Sequence, residues 1–561
     1  MRFLPSLFLA CLGLASAFAA PRLPALRATP GLPLLDPVRM DFKAELALRA
    51  ALDRMDVEDL CGQVLMIDVV GTRLGDGMRS LMETVRPGGV LLFDYNIDSP
   101  LGLFRLTGEL KAWCSNRQMP APVFAIDQEG GPISRLTSKR GFLPYPSPMA
   151  MAACGDEALF TALVATMARE IRGAGIDLDL APVLDVIGPK SSSVLGIRAF
   201  GDRPRAVARW GELWVRAMAS GGVASAAKHF PGHGGASQDS HLDLPDVRDE
   251  RATLITRDLV PFLAAMRSGC EAFLSAHVFY RELEPESGRP ATLSAHILHG
   301  LLRQQMFFDG LLITDSMVMG AIARHREPAE AVREALAAGA DFALVPDSPQ
   351  RLMELHAGLV EMARKDVDFR AIVARAAERI LAWKFRQAHR RPPSTPLSSR
   401  DWEEGRRLSE TVSRRSIAAL GNRGFDLRGD RGLVVEIPQA RGLIEAVGCQ
   451  GAVIATEPSP ADFDGLLRRA REAPWLCVVY QQDERAPWAA ALARSLLAAQ
   501  GEAVLVLTGL PWEKGDLAVS RTLYTFGWTP WTASQLAKIL RGEETAQGVM
   551  PVEAEARDRA P

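Results

Sequence analysis

The sequence predicts an α/β protein in which an eight-stranded β/α barrel of TIM type is followed by a smaller three-layer α/β sandwich. Three observations lead to this prediction. Eight short apolar runs alternate with stretches long enough for helices. A Pro- and Arg-rich connector at 390–396 then separates them from a second, shorter series of apolar runs. The chain has 561 residues, which is too long for one ordinary domain.

The N-terminus has the features of an export signal. Arg2 is followed by a mostly apolar run at 3–14 and then by small residues around an Ala-x-Ala site. The apolar run is shorter than the roughly 20 residues that a membrane span needs. We therefore expect residues 1–19 to be a signal peptide, cleaved after Ala19, and the mature protein to be periplasmic or secreted. An uncleaved anchor is the alternative.

The barrel is expected over residues 41–388. Its candidate strands are the runs 64–70, 89–93, 123–126, 178–183, 223–227, 272–276, 311–314 and 342–345. Pro182 lies inside the fourth run, so we expect that strand to end or bulge there, because proline cannot donate to a strand ladder. An open, doubly wound sheet is the structural alternative.

A linker is expected at residues 389–405, and the sandwich domain at 406–553. The sandwich has candidate strands at 432–437, 452–455, 476–480 and 503–507, with helical stretches such as 489–499 between them. This alternation predicts a largely parallel sheet with helices on both faces.

The charge balance excludes some classes of partner. Lys and Arg total 65 and Asp and Glu total 67, for a net charge of -2. Such a chain has no general attraction to nucleic acid or to an anionic membrane. The seven cysteines include no Cys-x-x-Cys pair and no spacing typical of a zinc site.

The densest polar cluster is a glycine-rich segment at 228–241 that follows the fifth apolar run. It contains Lys228, His229, His233 and His241. The first two histidines have the His-x-x-x-His spacing of a metal site, but that spacing needs a helix, and the Pro-Gly pair between them prevents one. We therefore predict a catalytic loop at the carboxyl end of a barrel strand, without a metal.

Four other polar sites lie at strand ends. Asp127 follows the third run with Arg135 shortly after it, Arg198 follows the fourth, His277 closes the sixth and Asp315 closes the seventh. Each alone could be a helix cap or a structural ion pair. Five successive strands that all deliver such residues to one rim instead predict an active site.

These residues suit the chemistry of a retaining glycosidase, which needs an ionised carboxylate nucleophile and a proton donor for the leaving oxygen. Asp315 is a suitable nucleophile, since Lys228 or Arg198 nearby would keep it ionised. His241, with an ordinary pKa of roughly 6.5, can give and take the proton. Asp239 could orient that ring.

The motifs resemble those of glycoside hydrolase family 3, in its β-N-acetylglucosaminidase branch. Segment 228–241, followed by Leu244 and Pro245, resembles the branch's K-H-F-P-G-H-G and D-S-H loop, and 127–131 resembles its D-Q-E-G-G motif. Segments 197–201, 290–294 and 308–319 are also similar. The resemblance covers most of 45–385 and, more weakly, 542–552.

The resemblance implies a two-domain exo-β-N-acetylglucosaminidase that acts on peptidoglycan fragments or chitooligosaccharides without a metal or organic cofactor. Asp315 would be the nucleophile, and His241 the acid/base on a mobile loop with Asp239 as its partner. The residues that would hold the sugar are Asp127, Arg135, Arg198, Lys228 and His229.

Two departures and two alternatives accompany this interpretation. Ser316 stands where the family often has a second Asp, and the motifs of the C-terminal region are weak, so we expect no catalytic contribution from it. A β-glucosidase or β-xylosidase of the family usually takes its acid/base from a Glu of the second domain and lacks the D-S-H loop. A non-catalytic sugar-binding barrel is the other alternative. If His241 is not the acid, Glu129 is the next candidate.

Overall fold

The computed structural model describes residues 42–189, 191, 195–236, 244–390, 394–420, 425, 427, 429–482, 486–517 and 519–553. All of them belong to one compact unit that begins at Met40. The signal peptide predicted at 1–19 and the residues Asp239 and His241 lie outside the described residues.

Eight parallel strands form the barrel. They are β1 Leu65–Asp68, β2 Gly89–Leu92, β3 Val123–Ile126, β4 Leu178–Asp179, β5 Ala224–Phe230, β6 Ala272–Ser275, β7 Leu311–Thr314 and β8 Ala343–Val345. Each strand pairs with the next in the chain, and β8 pairs with β1. A bridge between Ile313 and Phe342 joins the seventh strand to the start of the eighth. This circular pairing confirms the barrel and rules out the open sheet.

The barrel strands are buried along their whole length, as expected for a parallel sheet covered by helices. Strand β4 ends at Asp179, ahead of Pro182, in agreement with the expectation from the proline. Strand β5 is longer than its apolar run predicts. Lys228 and His229 therefore belong to the strand, directly before its last residue Phe230, and not to the start of a loop.

The helices of this part of the chain are α1 Phe42–Leu52, α2 Val57–Gln63, α3 Asp76–Val85, α4 Pro100–Asn116, α5 Pro148–Ala153, α6 Glu157–Gly173, α7 Pro204–Ser220, α8 Arg251–Thr253, α9 Leu259–Arg267, α10 Gly320–Ala323, α11 Pro328–Ala338, α12 Pro349–Lys365, α13 Val367–Arg390 and α14 Ser399–Arg415. Two π-helical segments span Leu254–Asp258 and His296–Gln305. Capping residues explain where some of these helices begin. The side chains of Ser99 and Ser398 accept hydrogen bonds from backbone N–H groups in the first turns of α4 and α14. No helix in the described ranges is long and apolar enough to cross a membrane.

The expected linker segment, 389–405, contains the end of α13 and the first part of α14. Helix α14 packs on α6 of the barrel. The proposed division into 41–388, 389–405 and 406–553 stays a prediction.

A second sheet of six strands follows. Its strands are β9 Ala418–Leu420, β10 Leu433–Glu436, β11 Gln450–Val453, β12 Leu476–Tyr480, β13 Ala503–Leu507 and β14 Thr522–Tyr524, in the order β9-β14-β13-β12-β10-β11. Only β9 is antiparallel to its neighbour within this sheet. The helices are α15 Leu443–Val447, α16 Pro460–Glu472, α17 Trp488–Ala499 and α18 Thr532–Leu540.

Alternate residues of this sheet belong to two separate apolar cores. Leu476 and Val478 of β12 face one core, whereas Cys477 and Val479 face the other. The first core also contains Met149 of the barrel part, so the second domain packs against the barrel through that face. The alternation confirms a three-layer sandwich.

The strand order of the second sheet reverses between β10 and β12. Glu436 ends β10 and is buried. Its carboxylate accepts hydrogen bonds from the backbone N–H groups of Gly442, Leu443 and Ile444 at the start of α15. Ligands of open parallel sheets usually bind at this position. Here Glu436 takes up the backbone N–H groups at the start of the following helix.

Candidate active site

A cavity of about 740 Å³ opens at the carboxyl end of the barrel strands. Six of the eight residues predicted for the site line it. They are Asp127, Arg135, Arg198, Lys228, His229 and Asp315. The other two, Asp239 and His241, lie outside the described residues. The structure thus brings together residues that are up to 188 positions apart in the chain, from Asp127 to Asp315.

A buried ionic network connects four of the polar residues. Lys228 Nζ lies 2.8 Å from Asp127 Oδ1 and 2.7 Å from Glu129 Oε1. Arg198 donates from Nε and Nη2 to the two carboxylate oxygens of Glu129, each at 2.8 Å. Glu129 and Lys228 are almost fully buried. Two cations and two carboxylates therefore hold one another in fixed positions at one wall of the cavity.

The network fixes the charge of its members. Burial disfavours ionised Glu129, but the charges of Arg198 and Lys228 outweigh burial and lower its pKa to about 2. Burial likewise disfavours the Lys228 ammonium, yet Asp127 and Glu129 raise its pKa above the ordinary value. Glu129 is thus unsuited to donate a proton to a leaving group, and it no longer stands as the second candidate for the acid.

The remaining residues of the D-Q-E-G-G segment shape the turn that carries Arg135. The buried side chain of Gln128 accepts hydrogen bonds through Oε1 from the backbone N–H groups of Arg135 and Leu136, at 3.0 and 2.9 Å. Gly130 and Gly131 have φ values of +92° and +58°, and a Cβ on Gly130 would lie 2.4 Å from a backbone oxygen. Only glycine fits there.

Arg135 itself lies against an aromatic ring. Its guanidinium carbon is 5.2 Å from the ring centroid of Phe93, which also lines the cavity. Arg135 Nη1 is 3.7 Å from Asp94 Oδ1, a longer ion pair than those of the buried network. The ring holds the guanidinium beside the cavity through a cation–π contact.

Asp185 holds the start of the histidine-rich loop. Its Oδ2 lies 2.7 Å from His229 Nδ1, and its Oδ1 accepts from the backbone N–H groups of His229 and His233 at 3.2 and 2.6 Å. Asp185 is fully buried. Burial opposes its ionisation, but His229 and His233 lower its pKa below the ordinary value. This carboxylate fixes the His229 ring, which lines the cavity, through Nδ1.

Asp315 is partly exposed to the cavity at the end of β7. Its Oδ1 accepts a hydrogen bond of 2.7 Å from the backbone N–H of Ser316. Burial opposes ionisation, but His277, His229 and Lys228 lower the pKa of Asp315 below its ordinary value. The carboxylate is therefore ionised near neutral pH, as a nucleophile must be.

His277 is locked beside Asp315 by backbone and hydroxyl groups. Its Nε2 lies 3.0 Å from the carbonyl oxygen of Ser316, so that nitrogen carries a hydrogen, and its Nδ1 lies 2.8 Å from Thr292 Oγ1. Thr292 belongs to the segment 290–294, so this segment contributes to the site by holding the His277 ring. Ser316 contributes backbone atoms only to these contacts, which explains why its side chain can differ from the family's Asp.

Sequence reasoning missed two sets of residues. Asp185 lies in a loop after β4 with no motif to mark it. The second domain, from which we expected no catalytic contribution, supplies Gln481, Gln482, Gly509 and Glu513 to the cavity lining. Gln481 and Gln482 follow β12, and the other two follow β13. Carboxyl ends of both sheets therefore face the same cavity, and only packing of the two domains could reveal this.

Glu513 is tied to the backbone of its own domain. Its two oxygens accept hydrogen bonds from the N–H groups of Leu510 and Gln482, at 2.9 and 3.0 Å. Burial raises its pKa above the ordinary value despite these bonds.

No group of three or more His, Cys, Asp or Glu side chains among the described residues is arranged to hold a metal ion. The described cysteines are free thiols, and of these only Cys449 is not buried.

Comparison with known proteins identifies the family of the domain that carries this cavity. Residues 56–382 match the family model of the Glycosyl hydrolase family 3 N terminal domain. The chain belongs to glycosyl hydrolase family 3. It is accordingly a glycoside hydrolase that acts on O-glycosyl bonds.

Individual relatives and a solved structure extend the comparison to most of the chain. The chain is 37% identical over 292 residues to a β-hexosaminidase of Alkalilimnicola ehrlichii, covering 51% of this chain and 81% of that one. It is 35% identical over 372 residues to a β-hexosaminidase of Thiobacillus denitrificans, covering 65% and 95%. A solved family 3 β-N-acetylglucosaminidase from Paenibacillus sp. str. FPU-7 superposes with a TM-score of 0.81 at 28% identity, covering 89% of this chain and 99% of that one.

Proposed function

We propose that this chain is a retaining exo-β-N-acetylglucosaminidase. It releases terminal β-linked N-acetylglucosamine from peptidoglycan fragments or chitooligosaccharides through a covalent intermediate on Asp315. The observation that carries the proposal is the ionised Asp315 at the end of β7, in one cavity with Asp127, Arg198 and Lys228. The β-hexosaminidase relatives and the Paenibacillus enzyme support the choice of sugar.

The first half of the reaction forms the intermediate. An oxygen of Asp315 attacks the anomeric carbon while the bond from that carbon to the leaving oxygen breaks. His241 gives its proton to the leaving oxygen and becomes neutral. Asp239 orients the imidazole ring of His241 and stabilises its protonated form. Asp127, Arg135, Arg198, Lys228 and His229 hold the sugar in place for the displacement.

The second half returns the enzyme to its starting state. His241, now neutral, takes a proton from water, and the resulting oxygen attacks the anomeric carbon from the side that the leaving group vacated. The bond to Asp315 breaks, the carboxylate is restored, and the product keeps the β configuration.

The proposal includes the place of action. The N-terminal segment 1–19 has the pattern of an export signal, so we place the enzyme in the periplasm or outside the cell, where wall fragments occur. A role in peptidoglycan recycling fits that place.

One observation favours a second candidate, a β-glucosidase or β-xylosidase. Such members usually take their acid from a Glu of the second domain, and Glu513 lines the cavity with a raised pKa. The D-S-H sequence at 239–241 argues against this candidate, since those members lack it.

A single assay separates the candidates. The kcat/KM of the purified protein is measured on nitrophenyl β-N-acetylglucosaminide, β-glucoside and β-xyloside. We expect a strong preference for the 2-acetamido sugar. Equal kcat/KM for glucoside and N-acetylglucosaminide would overturn the proposal, and no turnover of any of the three would favour the non-catalytic barrel.

A further inference from the structure

A second cavity, here called the side cleft, lies between the barrel and the second domain and has a volume of about 450 Å³. Its walls come from segment 131–150 of the barrel part and from loops at 508 and 525–532 of the second domain. Pro132, Ile197 and Gln481 line both the side cleft and the active-site cavity. The two spaces therefore lie side by side and share these three residues as part of their walls.

The lining of the side cleft carries no charge. Charged residues make up 24% of the chain, yet no described residue that lines this cleft is Asp, Glu, Lys, Arg or His. Hydroxyl groups predominate instead, from both domains, with Ser134, Ser138, Thr508 and Thr529 among them. The active-site cavity, by contrast, is lined by several charged groups. The two spaces are thus suited to different parts of a ligand.

Trp528 adds an aromatic wall to the side cleft. Its Nε1 donates to the carbonyl oxygen of Arg441 at 3.0 Å, which fixes the ring. Gln481 is also held, because Thr508 Oγ1 donates to its Oε1 at 3.2 Å. A fixed aromatic ring with hydroxyl and amide groups around it matches a sugar, whose faces present C–H groups and whose edges present hydroxyls.

We infer that the side cleft binds the leaving part of the substrate, and that it selects a neutral oligosaccharide of N-acetylglucosamine over one that carries a carboxylate. This inference rests on the proposed function. A muramic acid unit in the leaving position would bring its lactyl carboxylate into an uncharged cleft. There it would lose hydration without gaining a cation as partner, which is costly. A chitooligosaccharide has only neutral groups to place there.

The substrates that test the inference differ in the leaving part alone. We would measure kcat/KM for nitrophenyl β-N-acetylglucosaminide, for the di-, tri- and tetrasaccharides of β-1,4-linked N-acetylglucosamine, and for the disaccharide with N-acetylmuramic acid in the leaving position. We expect kcat/KM to rise about two- to tenfold from the disaccharide to the tetrasaccharide, the scale of one aromatic contact. We expect the neutral disaccharide to be cleaved faster than the muramic acid disaccharide.

A variant pair then locates the effect. Ser138 is exposed and lines the side cleft, whereas Lys139 beside it is exposed and does not line it. Ser138→Trp should narrow the cleft and remove the gain with chain length, while activity on the nitrophenyl substrate stays the same. Lys139→Trp, the control, should leave both unchanged.

The outcomes separate the two proposals. No release of N-acetylglucosamine from the nitrophenyl substrate would mean that the proposed function is wrong. Release from it, with a flat dependence on chain length, a preference for the muramic acid disaccharide, or equal effects of Ser138→Trp and Lys139→Trp, would overturn the side-cleft inference alone.

Discussion

Arg198 donates hydrogen bonds from Nε and Nη2 to the two carboxylate oxygens of Glu129, each at 2.8 Å, and the Glu129 side chain has no exposure to solvent. Lys228 adds a contact of 2.7 Å to the same carboxylate. Burial alone would raise the pKa of a carboxyl group in this position. The two cations decide the outcome, and Glu129 serves to hold Arg198 and Lys228 in place at the cavity wall.

Glu129→Gln should destabilise the protein, in a way that depends on pH. The folded pKa of about 2 lies below the ordinary 4.5, so the stabilisation is complete above pH 4.5 and is lost as the pH falls toward 2. Removing one partner of a buried ion pair costs about 3 to 5 kcal/mol near pH 7. The free energy of unfolding, measured in urea from pH 7 to pH 3, should fall less steeply below pH 4.5 in the variant.

Glu286→Gln provides the control for Glu129, since the Glu286–Arg289 pair is exposed and should contribute less than about 1 kcal/mol. If Glu129→Gln has no more effect than this variant, the buried network does not stabilise the fold.

Asp315→Gly should lower kcat by roughly 10⁴-fold or more, because the covalent step loses its nucleophile. Substrate binding should survive. Added azide should restore part of the reaction and yield the α-glycosyl azide, since it attacks from the side that the carboxylate occupied. Asp309→Gly makes the same change just before the other end of β7 and should leave kcat unchanged. Near-normal activity of Asp315→Gly would place the nucleophile elsewhere.

Asp185→Asn should impair catalysis through the position of His229. An amide in place of Asp185 can donate to Nδ1, which would move the ring hydrogen to Nε2. We expect kcat/KM to fall by about 100-fold, the effect of a reacting geometry displaced by about 1 Å. Nitrogen NMR of His229 should show the altered tautomer in a folded protein. Lower activity with an unchanged tautomer would mean that Asp185 acts only through stability.

His241→Ala should affect substrates according to their leaving group. Disaccharides need protonation of the leaving oxygen and should react far more slowly, whereas activated aryl glycosides should lose much less in the glycosylation step. Asp239→Ala should show the same trend more weakly, since the proton carrier remains. Glu513→Ala is the comparison: if it, and not His241→Ala, shows the dependence on leaving group, the acid belongs to the second domain.

The fold was predictable because each barrel strand is buried on both faces and so leaves a continuous apolar run. Strands β9 and β14 of the second sheet were not predicted; each has only three residues, and Ala419 of β9 is exposed. The site was predictable where a polar residue follows a buried strand, as Asp127 and Asp315 do. The ionised state of Glu129 was not predictable. The two cations that outweigh the effect of burial on its pKa come from distant positions in the chain, 198 and 228.

The carboxylate of Glu436, which binds the backbone N–H groups at the start of α15, bears on substrate range. With the start of α15 held in this way, the loops after β12 and β13 supply residues to the barrel cavity. Changes in the length or composition of these loops would reshape the space beside Asp315 without altering any barrel residue. Related enzymes could thereby acquire new leaving-group preferences while the chemistry at the anomeric carbon stays the same.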